Sequence, residues 1–116
     1  MTPQIAFGEF VLDLGARQLL RAGAPAALSP KAFRLLQALV EHRPKALSKA
    51  DLHDLLWPQT AVVEANLSNL VGEVRAALGE SSRRPRYVRT LHRFGYAFSP
   101  DAAPAAQDLS EARAAL

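Results

Sequence analysis

A chain of 116 residues that is 49% hydrophobic and carries a formal net charge of +3 is long enough for one core and too short for two ordinary domains. It has no cysteine, which excludes a disulfide framework and any thiolate metal site and makes a reducing, cytoplasmic setting the expectation. No apolar run approaches the roughly 18 residues that cross a bilayer, and the opening MTPQIAFGEF lacks the basic-then-apolar pattern of an export signal.

Up to Leu28 the apolar residues come in short groups, Ile5 to Phe7, Phe10 to Leu12, Leu19 to Leu20 and Ala26 to Leu28. Gly8, Gly15 and a Gly23-Ala24-Pro25 turn separate them, which predicts short antiparallel strands. At Ser29 the period becomes helical, with Ser29 as N-cap, Pro30 at the first helical position, and Phe33, Leu36, Leu39 and Val40 at three- and four-residue spacing. This helix is expected to end near Pro44. Ser48 opens a second helix, with Asp51 three residues on and Leu52, Leu55 and Leu56 as its buried stripe; Pro58 stops it just after Trp57.

A third helix should run from about Val63 to Leu78 and close at Gly79. Leu70, Val71, Val74 and Leu78 all fall within about 60° of Leu67 on a helical wheel, one narrow core face. After a polar loop, two extended runs follow, Arg86 to Leu91 and Tyr96 to Phe98, and Gly95 marks the hairpin turn between them. Tyr96 and Phe98, two residues apart on one strand face, should be buried and hold the hairpin against the third helix. The folded domain is expected over 1–98. Residues 99–116, rich in alanine, proline and acidic side chains, read as a flexible tail or linker leading to an additional C-terminal domain.

Charge is unevenly spread. Residues 1–98 hold 13 basic and 8 acidic side chains, and Arg83, Arg84, Arg86, Arg89 and Arg93 fall in an eleven-residue stretch without a carboxylate. Such a local field favours a polyanion, although a single charge run is often only a solvated surface. Context favours the polyanion. The second and third helices are joined by only Pro58 to about Val62, the third is amphipathic, and a basic hairpin follows. This is the helix-turn-helix arrangement that puts its second helix into the major groove of DNA.

The segments Leu28-Ser29-Pro30-Lys31-Ala32-Phe33, Leu47-Ser48-Lys49-Ala50-Asp51-Leu52 and Leu56-Trp57-Pro58 resemble the effector domain of OmpR/PhoB-type response regulators. So do Val62-Val63-Glu64-Ala65-Asn66-Leu67, Val74-Arg75-Ala76-Ala77-Leu78-Gly79, Tyr87-Val88-Arg89-Thr90-Leu91 and the closing Gly95-Tyr96-Ala97-Phe98. The resemblance spans about Ile5 to Phe98, and the order and spacing of the motifs make it specific. It implies an α+β winged helix-turn-helix with an N-terminal antiparallel four-stranded sheet, a three-helix core and a C-terminal β-hairpin wing at the minor groove. It also implies double-stranded DNA as partner in bacterial transcription regulation, with a homodimer expected on direct or inverted half-sites. Regulators of this type carry an N-terminal phosphoacceptor domain, which this stretch does not encode. The loop after Trp57 touches RNA polymerase in some members, while Trp57 itself reads more simply as a core or staple residue.

The base-reading candidates on the third helix are Ser68, Asn69, Gly72 and Glu73. Asn69 has the donor-acceptor pair for adenine N6 and N7, Ser68 for a base or a phosphate, and Glu73 an acceptor for cytosine N4. Many relatives place arginines where Gly72 and Glu73 stand, so the reading face here is small and weakly polar. That motivates a rival reading, a winged-helix protein-interaction module that has lost specific DNA reading. The phosphate and wing candidates are Arg43, Lys45, Lys49, Arg75, Arg86, Arg89, His92 and Arg93. Catalysis is not expected. Asp51 and His53 point about 200° apart on a helix, and Ser48 already has a cap to make. His42, His53 and His92 lack partners at metal-ligand spacing, so neither metal nor cofactor is implied.

Overall fold

The computed structural model describes residues 4–58, 64–80, 83 and 86–99. Gln4–Phe7 (β1), Phe10–Asp13 (β2), Gln18–Arg21 (β3) and Ala24–Ala26 (β4) form an antiparallel meander in chain order. The turns set its register. Phe7 pairs with Phe10 across Gly8 and Glu9, with Gly8 at φ 59°, the left-handed conformation that two-residue hairpins require. Arg21 pairs with Ala24 across Ala22 and Gly23, at φ 51° and 86°, the double positive φ of a type I′ turn. The sequence predicts the turn at 23–25 and a strand from Ala26 to Leu28. The chain reverses one residue earlier, and Pro25 falls inside β4, where an edge strand tolerates its missing N–H.

Pro30–His42 forms α1, Leu47–Ser48 the short strand β5, Lys49–Leu56 α2 and Glu64–Ala77 α3; Val88–Leu91 (β6) and Gly95–Phe98 (β7) complete the order. Both expected serine caps form. Ser29 Oγ accepts from Ala32 N at 3.2 Å and Ser48 Oγ from Asp51 N at 3.0 Å. The stop of α3 is a Schellman turn: Glu80 N donates to Arg75 O, Gly79 N donates to Ala76 O, and Gly79 takes φ 74°. Leu67, Val71, Val74 and Leu78 are buried as expected, and Leu70 is half-buried.

The C-terminal sheet has the order β5-β7-β6, so the hairpin is paired with the strand that leads into α2. Phe7, Phe10, Tyr87 and Phe98 form an aromatic cluster with centroids 5.0 to 5.9 Å apart, which locks the N-terminal sheet onto this hairpin. The rings of Phe98 and Tyr87 therefore serve the joint between the two sheets. Ser99 is buried and its N–H donates to Tyr87 O at 2.7 Å; 100–116, with most of the expected tail, lie outside the described residues. Among those described, no helix is long and apolar enough to cross a membrane.

Gly95 does not make the turn. The reversal runs through His92, Arg93 and Phe94, closed by Phe94 N donating to Leu91 O at 2.9 Å, with Arg93 at φ 64°. Gly95 is instead the first residue of β7 and lies against β5: a Cβ on it would fall 1.9 Å from Leu47 O and 2.9 Å from Ser48 Cα. Both obstacles are backbone, so neither can rotate away. Gly95→Ala should therefore lower unfolding stability by on the order of 3 kcal/mol, read by urea denaturation, as expected for overpacking against a rigid neighbour.

Candidate nucleic-acid interface

Burying Leu67, Val71, Val74 and Leu78 turns the opposite face of α3 to solvent. Asn66, Ser68, Asn69, Gly72 and Ala76 are exposed there. At 100° per residue Asn66 lies about 60° from Asn69, one turn earlier on the same stripe. It was missed among the base-reading candidates, and its three-residue spacing from Asn69 was the signal that marks it. At Gly72 a Cβ would meet nothing within 4 Å. The helix backbone at that point is therefore open to any flat surface laid along α3.

Two candidates belong to the fold instead. Glu73 accepts from Ser29 N at 2.6 Å through Oε2 and from Ser29 Oγ at 3.0 Å through Oε1. Its carboxylate thus sits at the positive end of α1, where an anion is favoured, and ties α3 to the cap of α1. This corrects its reading as an acceptor for cytosine. Arg75 is buried, with Nη2 donating to Val88 O at 2.9 Å and Thr90 Oγ1 at 2.8 Å and Nε 3.7 Å from Glu80 Oε2. It fastens α3 to β6, so its assignment as a phosphate contact is corrected too. Arg75 borders the core stripe, about 40° beyond Val71 on the wheel, whereas half-buried Glu73 lies farther from that stripe than exposed Asn66 and is engaged because Ser29 meets it there.

The wing candidates emerge on a common surface. Arg89, His92 and Arg93 are exposed on β6 and the hairpin tip, and Arg86 is exposed ahead of them with its guanidinium 5.2 Å from the Tyr87 ring centroid. Residues 86–99 contain no carboxylate. Lys49 N donates to Phe94 O at 2.9 Å, which sets the first turn of α2 beside the tip of the hairpin. Lys45 is exposed, whereas Arg43 spends a guanidinium N–H on Val40 O at 2.6 Å, closing the end of α1. Between α3 and β7 runs an open cleft of about 380 Å³ lined by Ser68, Gly72, Ala76 and Tyr96 among others. Arg84 and the loop 59–63 lie outside the described residues, and Trp57 just before that loop is half-buried with the Lys31 ammonium 5.4 Å from its ring centroid.

A family model for transcriptional regulatory proteins, C terminal, matches residues 23–98. The chain belongs to this family. Effector domains of transcription regulators are not enzymes, and transcription regulation is the family's class of work. It is 31% identical over 97 residues to the KDP operon transcriptional regulatory protein KdpE of Escherichia coli, covering 83% of this chain and 43% of KdpE. It is 32% identical over 95 residues to the response regulator protein PmrA of Pseudomonas aeruginosa, covering 81% of this chain and 41% of PmrA. The chain thus spans less than half the length of these bacterial regulators. Among solved structures, the RstA DNA-binding domain of Klebsiella pneumoniae in complex with the RstA box superposes with a TM-score of 0.76 at 26% identity, over 84% of this chain and 97% of that one. The OmpR/PhoB homologue DrrB of Thermotoga maritima gives 0.77 at 25% identity, over 83% of this chain and 44% of that one.

Within this effector domain the placement of Glu73 has a measurable consequence. Glu73→Ala should remove two hydrogen bonds to Ser29 and lower stability by about 1–2 kcal/mol, the range for bonds to a charged acceptor that is partly solvated. The order of preference among duplex sequences should stay unchanged. Urea denaturation checks the first, and binding to a panel of single-base variants the second.

Proposed function

We propose that this domain binds double-stranded DNA sequence-specifically, with α3 in the major groove and the β6–β7 hairpin at the minor groove, and so regulates transcription. The observation that carries the reading is the continuity of one surface. The polar, carboxylate-poor face of α3 sits beside a hairpin with three exposed basic groups, Arg89, His92 and Arg93, whose tip is hydrogen-bonded to the start of α2. An α-helix fits the major groove, and a basic hairpin held beside it is placed to meet the neighbouring backbone and minor groove. The likeness to a domain solved with its DNA box supports the same reading.

In this arrangement Asn66 and Asn69 are the bidentate partners for adenine, and Ser68 bonds a base edge or a phosphate. Gly72 and Ala76 leave the helix free to lie close to the bases. Lys45, Lys49, Arg86, Arg89, His92 and Arg93 carry the phosphate and minor-groove contacts, with two copies expected on paired half-sites. An additional domain after the tail and a polymerase contact through 59–63 belong to the same proposal. The rival reading as a pure interaction module loses one of its motives, because the Glu73 carboxylate has a structural use.

Selection of bound duplexes from a random pool, followed by salt titration, tests this. Asn69→Ala should lose roughly 1–3 kcal/mol at one base pair and relax the preference there. Arg93→Ala should lower the slope of log affinity against log salt by about one. Affinity that does not change with salt overturns the DNA reading. Arg93 also sits at φ 64°, where glycine is unstrained and other L-residues are not. Arg93→Gly should therefore stabilise the fold, by roughly 1 kcal/mol, while weakening DNA binding as much as Arg93→Ala does; calorimetric unfolding and gel shifts on the same samples separate the two.

A further inference from the structure

Of the five phenylalanines, Phe7, Phe10, Phe33 and Phe98 are at most 2% exposed, whereas Phe94, at the tip of the hairpin, is 49% exposed. Among the described residues it is the one large apolar side chain left in solvent. Its backbone is pinned from both sides. Phe94 N donates to Leu91 O, Phe94 O accepts from Lys49 N, and the next residue, Gly95, lies hard against the Leu47 carbonyl. The ring thus projects from a fixed base, directly after the exposed His92 and Arg93 and with no carboxylate in 86–99.

We infer that Phe94 is an apolar wedge that enters the minor groove beside Arg93, partly unstacks one base step and bends the duplex. The proposal rests on the wing reaching the minor groove, as in the proposed function, and adds a deformation of the DNA to it. Charge complementarity commits the ring to DNA. A basic hairpin tip is drawn to the narrow, electronegative groove of A·T-rich sequence, and an aromatic ring carried there meets base edges and sugars, where apolar wedges open steps and kink the helix. The energy of bending then depends on a step that no polar side chain reads. Flexible pyrimidine–purine steps such as TA are favoured at the wing. This offers selectivity to a domain whose α3 presents two asparagines, a serine and otherwise small residues.

The test uses the whole chain and a duplex that the wild type selects from a random pool, with 2-aminopurine replacing each adenine of the A·T-rich flank in turn. Wild type should raise the fluorescence at one step and bend the duplex by roughly 20° or more. Phe94→Ala should abolish both signals and weaken binding on the order of tenfold, with thermal unfolding unchanged; Phe94→Leu should keep part of the bend. Equal fluorescence and bending for wild type and Phe94→Ala overturn the wedge. Loss in Phe94→Ala of cooperativity between two copies alone, at constant bend, identifies the ring as a protein contact and overturns it as well. The two levels fail separately. An Arg93→Ala that binds like wild type at every salt concentration removes the wing from the groove, whereas a weakened Arg93→Ala beside an unaffected Phe94→Ala removes only the wedge.

Discussion

The geometry of the interface depends on how the end of α3 is held. In a Schellman turn the residues at the positions of Arg75 and Glu80 are brought together, usually as an apolar contact. Here the pair is charged and buried. Glu80 accepts from the backbone N–H groups of Arg86, Tyr87 and Val88 at 3.1, 2.6 and 3.1 Å, while Arg75 reaches Val88 O and Thr90 Oγ1. The carboxylate thus gathers the start of β6, and the guanidinium spans from helix to strand. Arg75 Nε has no hydrogen-bond partner and lies 3.7 Å from Glu80, so the ion pair is held by charge at that atom while Arg75 Nη2 and the Glu80 carboxylate oxygens make the hydrogen bonds. A buried pair of this kind is poor evidence of net stability, but removal of either partner strands the other. Its structural effect is to fix one helix orientation relative to one hairpin.

A second constraint acts at the other end of the hairpin. Gly95 lets β5 and β7 approach until no side chain fits between them, and the Lys49–Phe94 backbone bond continues that contact into α2. The hairpin is consequently bound to α3 near its base and to α2 near its tip. Both helices of the helix-turn-helix are thus tied to the wing by hydrogen bonds. Such rigidity favours binding, because less ordering entropy is lost when a preformed surface meets its partner.

On this frame the chemistry of α3 is sparse. Its solvent face offers amides, a hydroxyl and bare backbone in place of guanidinium groups, while the basic charge is concentrated in the hairpin and before α2. On the proposed reading, phosphate attraction and groove shape would carry a larger share of recognition than direct hydrogen bonds to bases. A glycine in a helix interior is also a liability of up to about 1 kcal/mol. Its open surroundings at Gly72 are consistent with a helix shaped to lie close to another surface.

The local elements were legible from residues alone. Ser29, Ser48 and Gly79 marked helix ends that the structure reproduces through specific hydrogen bonds, and the period of Leu67, Val71, Val74 and Leu78 gave the buried face of α3. These signals are local: a cap acts within three residues and a helical stripe within a few turns. The roles of Glu73, Arg75 and Gly95 were not legible. A carboxylate on a helix border looks the same whether it meets a base or Ser29, 44 residues away, and a glycine near a turn looks the same whether it makes the turn or admits a neighbouring strand. What the sequence determined by itself was the three helices, the strands at either end of them and which family's domain they compose, although it set β4 two residues late and did not mark β5. Only the tertiary structure decided which charges are spent inside the fold and which are left at the surface, because partners distant in sequence leave no periodic trace along the chain.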